Sequence, residues 1–345
     1  MNHSLQSPAR NGAIRPPLSI GPATNTRTRG GMAGNAAAFS CHSQDEFLTN
    51  FPQIARQVGL YGYVIIEAWD IEPATLTAIA KRFGHVQAHI RADANGLVGI
   101  AIDTVVNHEW EKFRSEYHGV NSEEFLPHTD GSYLHGLAHK DGKYIQLLPP
   151  GMLILQSVRA ASAGGANLLI DGQRVFEDLR TRQPKFAEVL SQKGCVTYCR
   201  DDQIALDCAV FEQQQGGNVA LRFRYDSTAY VADWAAEAFH TLQNKYWADP
   251  EYEMLITLRP GQILAIDNTR MLHGREAFVA GTDGNKERSL RRIWLAREHL
   301  PVLRNAVDEH VDRRALRPFR AYDVNNAVDG EVGDPGLLLG IRPRA

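Results

Sequence analysis

The chain has 345 residues, 43% hydrophobic and 22% charged, with a formal net charge of −3. That length suits a β-rich enzyme built as one unit, and the near-neutral balance argues against a nucleic-acid surface, which needs a basic excess or stripe. The longest apolar runs, GMLILQSV and GLLLGI, are far too short to span a bilayer, so a cytoplasmic protein without membrane contact is expected.

The first 44 residues hold no Asp or Glu, but carry Arg10, Arg15, Arg27 and Arg29 among scattered Pro, Gly and Ser. Transit peptides share that bias. Here Pro16, Pro17, Pro22 and the Gly30-Gly31 pair break any amphipathic helix, so residues 1–44 are expected to be a disordered tail, with translation starting at Met32 as a variant of that reading. In DEFLTNFPQIARQVG, Phe47, Leu48, Phe51, Ile54 and Val58 fall near helical spacing. YGYVIIEAW reads as a strand, and EPATLTAIAKRFG as a helix with Glu and Pro in its first turn. Residues 103–127 are polar and aperiodic, the pattern of a lid or binding loop. GMLILQSV, NLLID, GCVTYCR, VALRFRYD, YEMLITL, ILAID and SLRRIWLA then read as strands. VADWAAEAFHTLQNKYWAD is an amphipathic helix between them, RNAVDEHVDRRALRP a C-terminal one, and residues 321–345 a loose tail. Many short strands with a few covering helices predict a mostly β protein, a distorted double-stranded β-helix of the jelly-roll, cupin-like kind, over residues 45–320. Cys41, Cys195, Cys199 and Cys208 show no CxxC pairing and are expected as free thiols.

The chemistry concentrates in PHTDGSY and IDNTRMLHGR. A strand alternates its side chains, so His128 and Asp130 emerge on one face, and His273 follows the apolar strand GQILAIDN. Two His and one carboxylate form a facial triad that leaves adjacent positions open on an octahedral ion, the arrangement of non-haem Fe(II) oxygenases. Thirteen His make a bare His-x-Asp a weak signal, more often a turn or surface pair. Its neighbours strengthen it. KERSLRRIWLAR, bounded by Gly281, Gly284 and Pro301, reads as a strand with Arg288 and Arg292 on one face and Arg291 and Arg297 on the other. A guanidinium fork matches a carboxylate bidentately. Turned into a barrel it is costly unless an anion meets it, so this segment is read as a dicarboxylate anchor in preference to a solvated basic face.

With these runs, the chain resembles the taurine dioxygenase-like Fe(II)/2-oxoglutarate oxygenases, closest in pattern to the γ-butyrobetaine and trimethyllysine hydroxylase branch. The matching segments are PHTDGSY, GGANLLIDG, RPGQILAIDNTRMLHGREAF and AGTDGNKERSL, within Gly62 to His299. The resemblance implies His128, Asp130 and His273 as iron ligands and Arg288 as the 2-oxoglutarate arginine, with Arg292 supporting it. It also implies Asn167 on the same carboxylate, where relatives carry a hydroxyl side chain. Only Cys41 stands where the branch often carries an N-terminal zinc module of clustered Cys, so that module is not expected.

The implied activity uses Fe(II), 2-oxoglutarate and dioxygen to hydroxylate an unactivated C–H bond of a small polar substrate, an amine or amino-acid-like molecule, with release of succinate and carbon dioxide. Desaturation or cyclisation on the same centre stays open. Tyr133 is a candidate substrate residue, as part of an aromatic cage for a cationic group with Trp110, Tyr117 and Trp234; packing roles serve each of these equally well. Thr269 replaces an aromatic of close relatives, and LHGLAHKDGKYIQLLPPG is longer and more polar than their equivalent, so γ-butyrobetaine itself is not the expected substrate. A zinc hydrolase is the rival from another class, since it too can use two His and a carboxylate. It has no use for the strand arginines. A metabolite-sensing barrel, the other rival, has little reason to keep all three ligands. The expected partners are a small molecule and, at most, further copies of the chain.

Overall fold

The computed structural model describes residues 26–28, 38–87, 89, 92–101, 122–134, 136–140, 143–200, 203–214, 217–226, 228–279, 288–296 and 302–303. In chain order the first strands are β1 (Thr26–Thr28), β2 (Ala38–Ser40), β3 (Tyr63–Glu67), β4 (His85–Val86), β5 (Leu97–Ala101) and β6 (Phe125–His128). A hairpin of β7 (Gly136–Lys140) and β8 (Lys143–Leu147) precedes β9 (Met152–Arg159) and β10 (Asn167–Asp171). An insertion then carries β11 (Val196–Arg200), β12 (Gln203–Cys208), β13 (Phe211–Gln213), β14 (Val219–Leu221) and β15 (Ala229–Val231). The chain returns through β16 (Met254–Ile256), β17 (Gln262–Asp267), β18 (Met271–Arg275), β19 (Ser289–Ala296) and β20 (Val302–Leu303).

Two sheets face each other. The larger runs β2-β3-β17-β9-β19-β4, with β5 also paired to β19, and the smaller runs β1-β16-β10-β18-β6. The period-two alternation of the apolar strands explains both faces of the large sheet. Tyr63, Ile65, Leu153, Leu155, Leu264, Ile266 and Trp294 point between the sheets, onto Leu169, Ile256 and Met271 of the small one. Val64, Ile66, Ile154, Ile263, Ala265 and Ile293 point the other way, under two helices. With both faces covered, these strands read as nearly unbroken apolar runs. Full burial of each such aliphatic side chain contributes roughly 1.5–3 kcal/mol.

The covering helices are α1 (Gln44–Tyr61) and α2 (Pro73–Phe83). Ser43 caps α1 by accepting the Glu46 N–H at 3.1 Å, while the Glu46 carboxylate reaches back to the His42 N–H at 2.7 Å. Phe47, Ile54 and Val58 form its buried stripe, whereas Leu48 stays exposed. Pro73 opens α2 at its first turn, where a missing N–H costs nothing.

The outer face of the small sheet is buried by the insertion. Leu168, Ile170, Leu255 and Leu272 pack with Phe176 and Leu179 of α3 (Gly172–Arg182), Leu190 of α4 (Pro184–Ser191) and Phe239 of α5 (Asp233–Thr241). A π-helix at Leu242–Trp247 extends α5 and buries Trp247 among them.

Four expectations change. β1 pairs with β16 and β2 runs parallel to β3, so the folded unit begins before residue 45 and residues 1–44 are not all tail. β6 (Phe125–His128) takes in the last three residues of the expected loop, 125–127; most of that loop lies outside the described residues, as do the C-terminal helix and tail. VALRFRYD is a strand only as far as Leu221. His128 is the last residue of its strand and Asp130 lies in the turn beyond, so they are not neighbours on a continuous strand face.

Candidate metal centre

The turn after β6 is held at several points. The Asp130 N–H donates to Asn268 Oδ1 at 2.8 Å, and Asn268 Nδ2 donates back to the Asp130 carbonyl at 3.0 Å and to the Pro150 carbonyl at 2.8 Å. The Thr129 N–H donates to the Phe223 carbonyl at 2.8 Å. Gly131 takes φ 69°, and a Cβ there would lie 2.6 Å from Pro150 Cδ, so the glycine of HTDG is required by both backbone and space. His273 on β18 stands in register opposite His128 on β6.

This brings the three predicted ligands together. His128 Nε2 lies 3.4 Å and His273 Nε2 3.7 Å from Asp130 Oδ1, and the three ligand atoms fall within 4.8 Å of one another. Bonds of about 2.0–2.2 Å place such atoms round a single ion. His128 Nδ1 donates to the Leu126 carbonyl at 2.9 Å, because a carbonyl can only accept. That fixes the tautomer and leaves the Nε2 lone pair, buried and without a hydrogen-bond partner, facing the other ligands. Burial pushes the His128 imidazole down to about 3, aided by His273, which keeps it neutral and able to ligate. The donor set fits a divalent metal.

Asp130 divides its oxygens. Oδ2 accepts Arg292 Nη1 and Trp294 Nε1, each at 2.8 Å, while Oδ1 faces the two imidazoles. Burial pushes this carboxyl up, but the Arg292 charge, helped by the two adjacent imidazoles, outweighs it and holds Asp130 well below the usual carboxylate range. The parity of β19 explains the pair of donors, since residues 292 and 294 share its inner face.

Arg288, immediately before β19, is buried and donates Nη2 to Asn167 Oδ1 at 3.2 Å. Asn167 is oriented in turn by its Nδ2, which donates to the Ile256 carbonyl at 3.2 Å. Gly165 has φ 73°, and a Cβ on it would stand 3.2 Å from Arg288 Cδ, so this glycine makes room for the Arg288 side chain. Phe278 lies beneath Arg288 at 5.7 Å and beneath Arg275 at 4.8 Å. Burial, reinforced by Arg275, pushes Arg288 down to about 10. Among the described residues no carboxylate meets Arg288. A buried guanidinium with such neighbours can receive an anion.

The two strand arginines share a face without sharing a task. Arg292, expected to support Arg288, instead holds Asp130. The two stand four residues apart, roughly 13 Å along an extended chain, and their guanidinium groups take different partners. Asn167 lies on the guanidinium of Arg288, beside the anion position it was expected to touch. Arg291 points to the opposite face, bonded to the Ile71 carbonyl and, at 3.1 Å, to Gln156 Oε1. Tyr133 is half-buried with the Arg200 guanidinium 5.3 Å above its ring, so one face of the expected cage already holds a cation. Trp234 is 52% exposed on α5; Trp110 and Tyr117 lie outside the described residues. Sequence reasoning missed Asn268 and Trp294 as supports of Asp130. Their signals were the Asn beside the strand end in IDNTR and the i, i+2 spacing of Arg292 and Trp294. All four cysteines are free thiols. Among the described residues no helix is long and apolar enough to cross a membrane.

Residues 30–294 match the model of the taurine catabolism dioxygenase TauD, TfdA family. The chain is 25% identical over 148 residues to the γ-butyrobetaine dioxygenase of Homo sapiens, covering 39% of this chain and 38% of that protein. It is 29% identical over 157 residues to the mitochondrial trimethyllysine dioxygenase of Rattus norvegicus, covering 41% and 37%. These alignments thus span under two fifths of the relatives' own length. Among solved structures, an asparagine oxygenase in complex with Fe(II), 2S,3S-3-hydroxyasparagine and succinate superposes with a TM-score of 0.54 at 17% identity, covering 72% of this chain and 80% of that one. That likeness is one of fold. With the family model spanning well over half of its residues, the chain belongs to the taurine catabolism dioxygenase TauD, TfdA family.

Proposed function

We propose that this protein is an Fe(II)- and 2-oxoglutarate-dependent oxygenase that hydroxylates an unactivated C–H bond of a small, polar, amino-acid-like substrate. The observation that carries the reading is the division of Asp130, one oxygen tied to Arg292 and Trp294 and the other turned to two imidazoles. Iron would be held by His128, Asp130 and His273, and 2-oxoglutarate by Arg288 at its distal carboxylate. Bound there, the metal supplies the chemistry that couples dioxygen and 2-oxoglutarate decarboxylation to substrate oxidation. The chain's own contribution is placement. His128 stays neutral through burial and keeps its tautomer through its Leu126 contact, Asp130 stays ionised through Arg292, and Arg288 selects a dicarboxylate by its length and fork. The facing apolar sheets, with Leu153, Leu155 and Trp294 between them, exclude water around the centre. We read the two sheets as a distorted double-stranded β-helix and place the enzyme in the cytoplasm, acting on a free small molecule.

The test is anaerobic addition of Fe(II) and then 2-oxoglutarate, followed by a screen for substrate-stimulated succinate release. A visible charge-transfer band that needs both additions is expected. Its absence, with hydrolytic activity of the zinc-loaded protein, overturns the reading in favour of a hydrolase.

A further inference from the structure

The segment after β14 runs beside the metal-ligand turn. The Phe223 N–H donates to Thr129 Oγ1 at 3.0 Å, and its carbonyl accepts the Thr129 N–H. The next residue, Arg224, is 4% exposed. Its guanidinium lies 5.6 Å from the centroid of the Phe125 ring, which in turn lies 4.0 Å from the His128 ring. Arg224 is therefore a buried cation separated from the proposed iron by the Phe125 and His128 rings, and its charge reaches His128, Asp130 and Tyr133.

How Arg224 is held matters more than that it is paired. Its Nε donates to Asp226 Oδ2 at 2.5 Å, while Asp226 Oδ1 accepts the Thr228 N–H at 3.0 Å and the Thr228 hydroxyl at 2.6 Å. Arg–carboxylate pairs frequently close fork on fork, with two parallel bonds. Here the carboxylate grips the inner nitrogen and turns its other oxygen to Thr228. Among the described residues neither Nη group has a hydrogen-bond acceptor. Arg200, above the Tyr133 ring, adds a second cation on the side of Tyr133. A cationic head seated on that ring would share it with the Arg200 guanidinium.

Resting on the oxygenase reading above, we propose that Arg224, positioned by Asp226, binds an anionic group of the substrate, a carboxylate or a phosphate monoester, beside the metal centre. Substrate chemistry is then set by two arginines with separate duties, Arg288 for the cosubstrate and Arg224 for the molecule to be oxidised.

The experiment is calorimetric titration of the full chain, loaded anaerobically with Fe(II) and 2-oxoglutarate. The probes are L-α-amino acids paired with their carboxamides and nucleoside 5′-monophosphates paired with their nucleosides. At least one anion is expected to bind, with its neutral partner weaker by roughly thirty-fold or more, the loss typical when one partner of a buried charge pair is removed. The amino-acid and nucleotide arms distinguish carboxylate from phosphate. Arg224→Lys, which keeps the charge and loses the fork, and the charge-balanced double variant R224Q/D226N should each lose that preference while retaining the Fe(II)·2-oxoglutarate band as evidence of an intact site. Equal binding of acid and amide, binding by no anion in either arm, or full affinity in R224K overturns the proposal. Absence of the band in the unaltered protein overturns the oxygenase reading instead, and leaves the anion preference to be judged on the titrations.

Discussion

The facing sheets and the insertion between β10 and β16 solve different problems with different means. In the sheets, polar groups are placed by register. His273 is opposite His128 because β18 pairs with β6, and Arg292 and Trp294 reach one carboxylate oxygen because they are two residues apart on β19. In the insertion, an aromatic cluster anchors irregular chain. Phe223 packs at 4.9 Å from Phe239 and 5.7 Å from Trp247, and Arg224 and Asp226 hang from that anchor without a strand to align them. Register is hard to change, because a one-residue slip turns every side chain to the other face. Irregular chain on an apolar anchor can change its polar residues while its packing stays. The difference teaches where to look for chemistry and where for selectivity.

The largest effects should come from breaking the sheet side. His128→Ala or His273→Ala removes a ligand that no described neighbour can replace, so iron retention and succinate formation should both be abolished while the secondary structure persists. Metal analysis after desalting, with circular dichroism, checks this; full iron content in either variant refutes the triad. Arg288→Lys comes next. It keeps charge but loses the fork, and apparent 2-oxoglutarate affinity should fall tens- to thousands-fold, the equivalent of about 2–5 kcal/mol, with iron binding unchanged. Arg292→Lys and Trp294→Phe should act on the other ligand set. Losing an outer partner of a metal ligand typically lowers metal affinity by about 10–100-fold, so here Fe(II) titrations should weaken while 2-oxoglutarate saturation at full metal occupancy does not. If Arg292→Lys instead weakens 2-oxoglutarate as strongly as Arg288→Lys, the separation of the two arginines fails.

Legibility in the sequence followed the same division. β9, β17 and β19 were readable because burial on both faces gives unbroken apolar runs, and α1 because Ser43 and the 3.6-residue stripe mark its start and face. The three residues of the proposed metal site are legible as a group, but His128 and Asp130 converge through a turn clamped by Asn268, not through strand parity. Parity placed Arg292 on the correct face and said nothing of depth, so the rise along β19, which separates it from Arg288, was overlooked. Arg224 was invisible because VALRFRYD alternates like a strand, whereas the chain leaves the sheet after Leu221. No period marks a side chain whose position depends on Thr129, 95 residues earlier in the chain than Arg224.

The smallest predicted effect isolates the insertion. His240 lies on α5, its Nδ1 2.8 Å from the Tyr225 hydroxyl, and burial pushes it down from 6.5 to about 4. As pH falls through 6.5 the unfolded chain takes up this proton and the folded chain does not. The histidine therefore contributes stability above pH 6.5 that is lost progressively toward pH 4, with no further loss below. The group is partly open to solvent, so the slope should be modest. His240→Gln has no proton to take up, and the stability gap between the parent and this variant should shift by a constant slope across that window and flatten outside it. Urea melts at half-unit pH steps measure the gap. Tyr225 adjoins Arg224, so hydrogen exchange at pH 5 should open residues 225–241 before β9 and β17, whose interiors carry no comparable group. Parallel pH curves for parent and variant, or simultaneous opening of sheet and insertion, would show that the two regions respond to acid as one body.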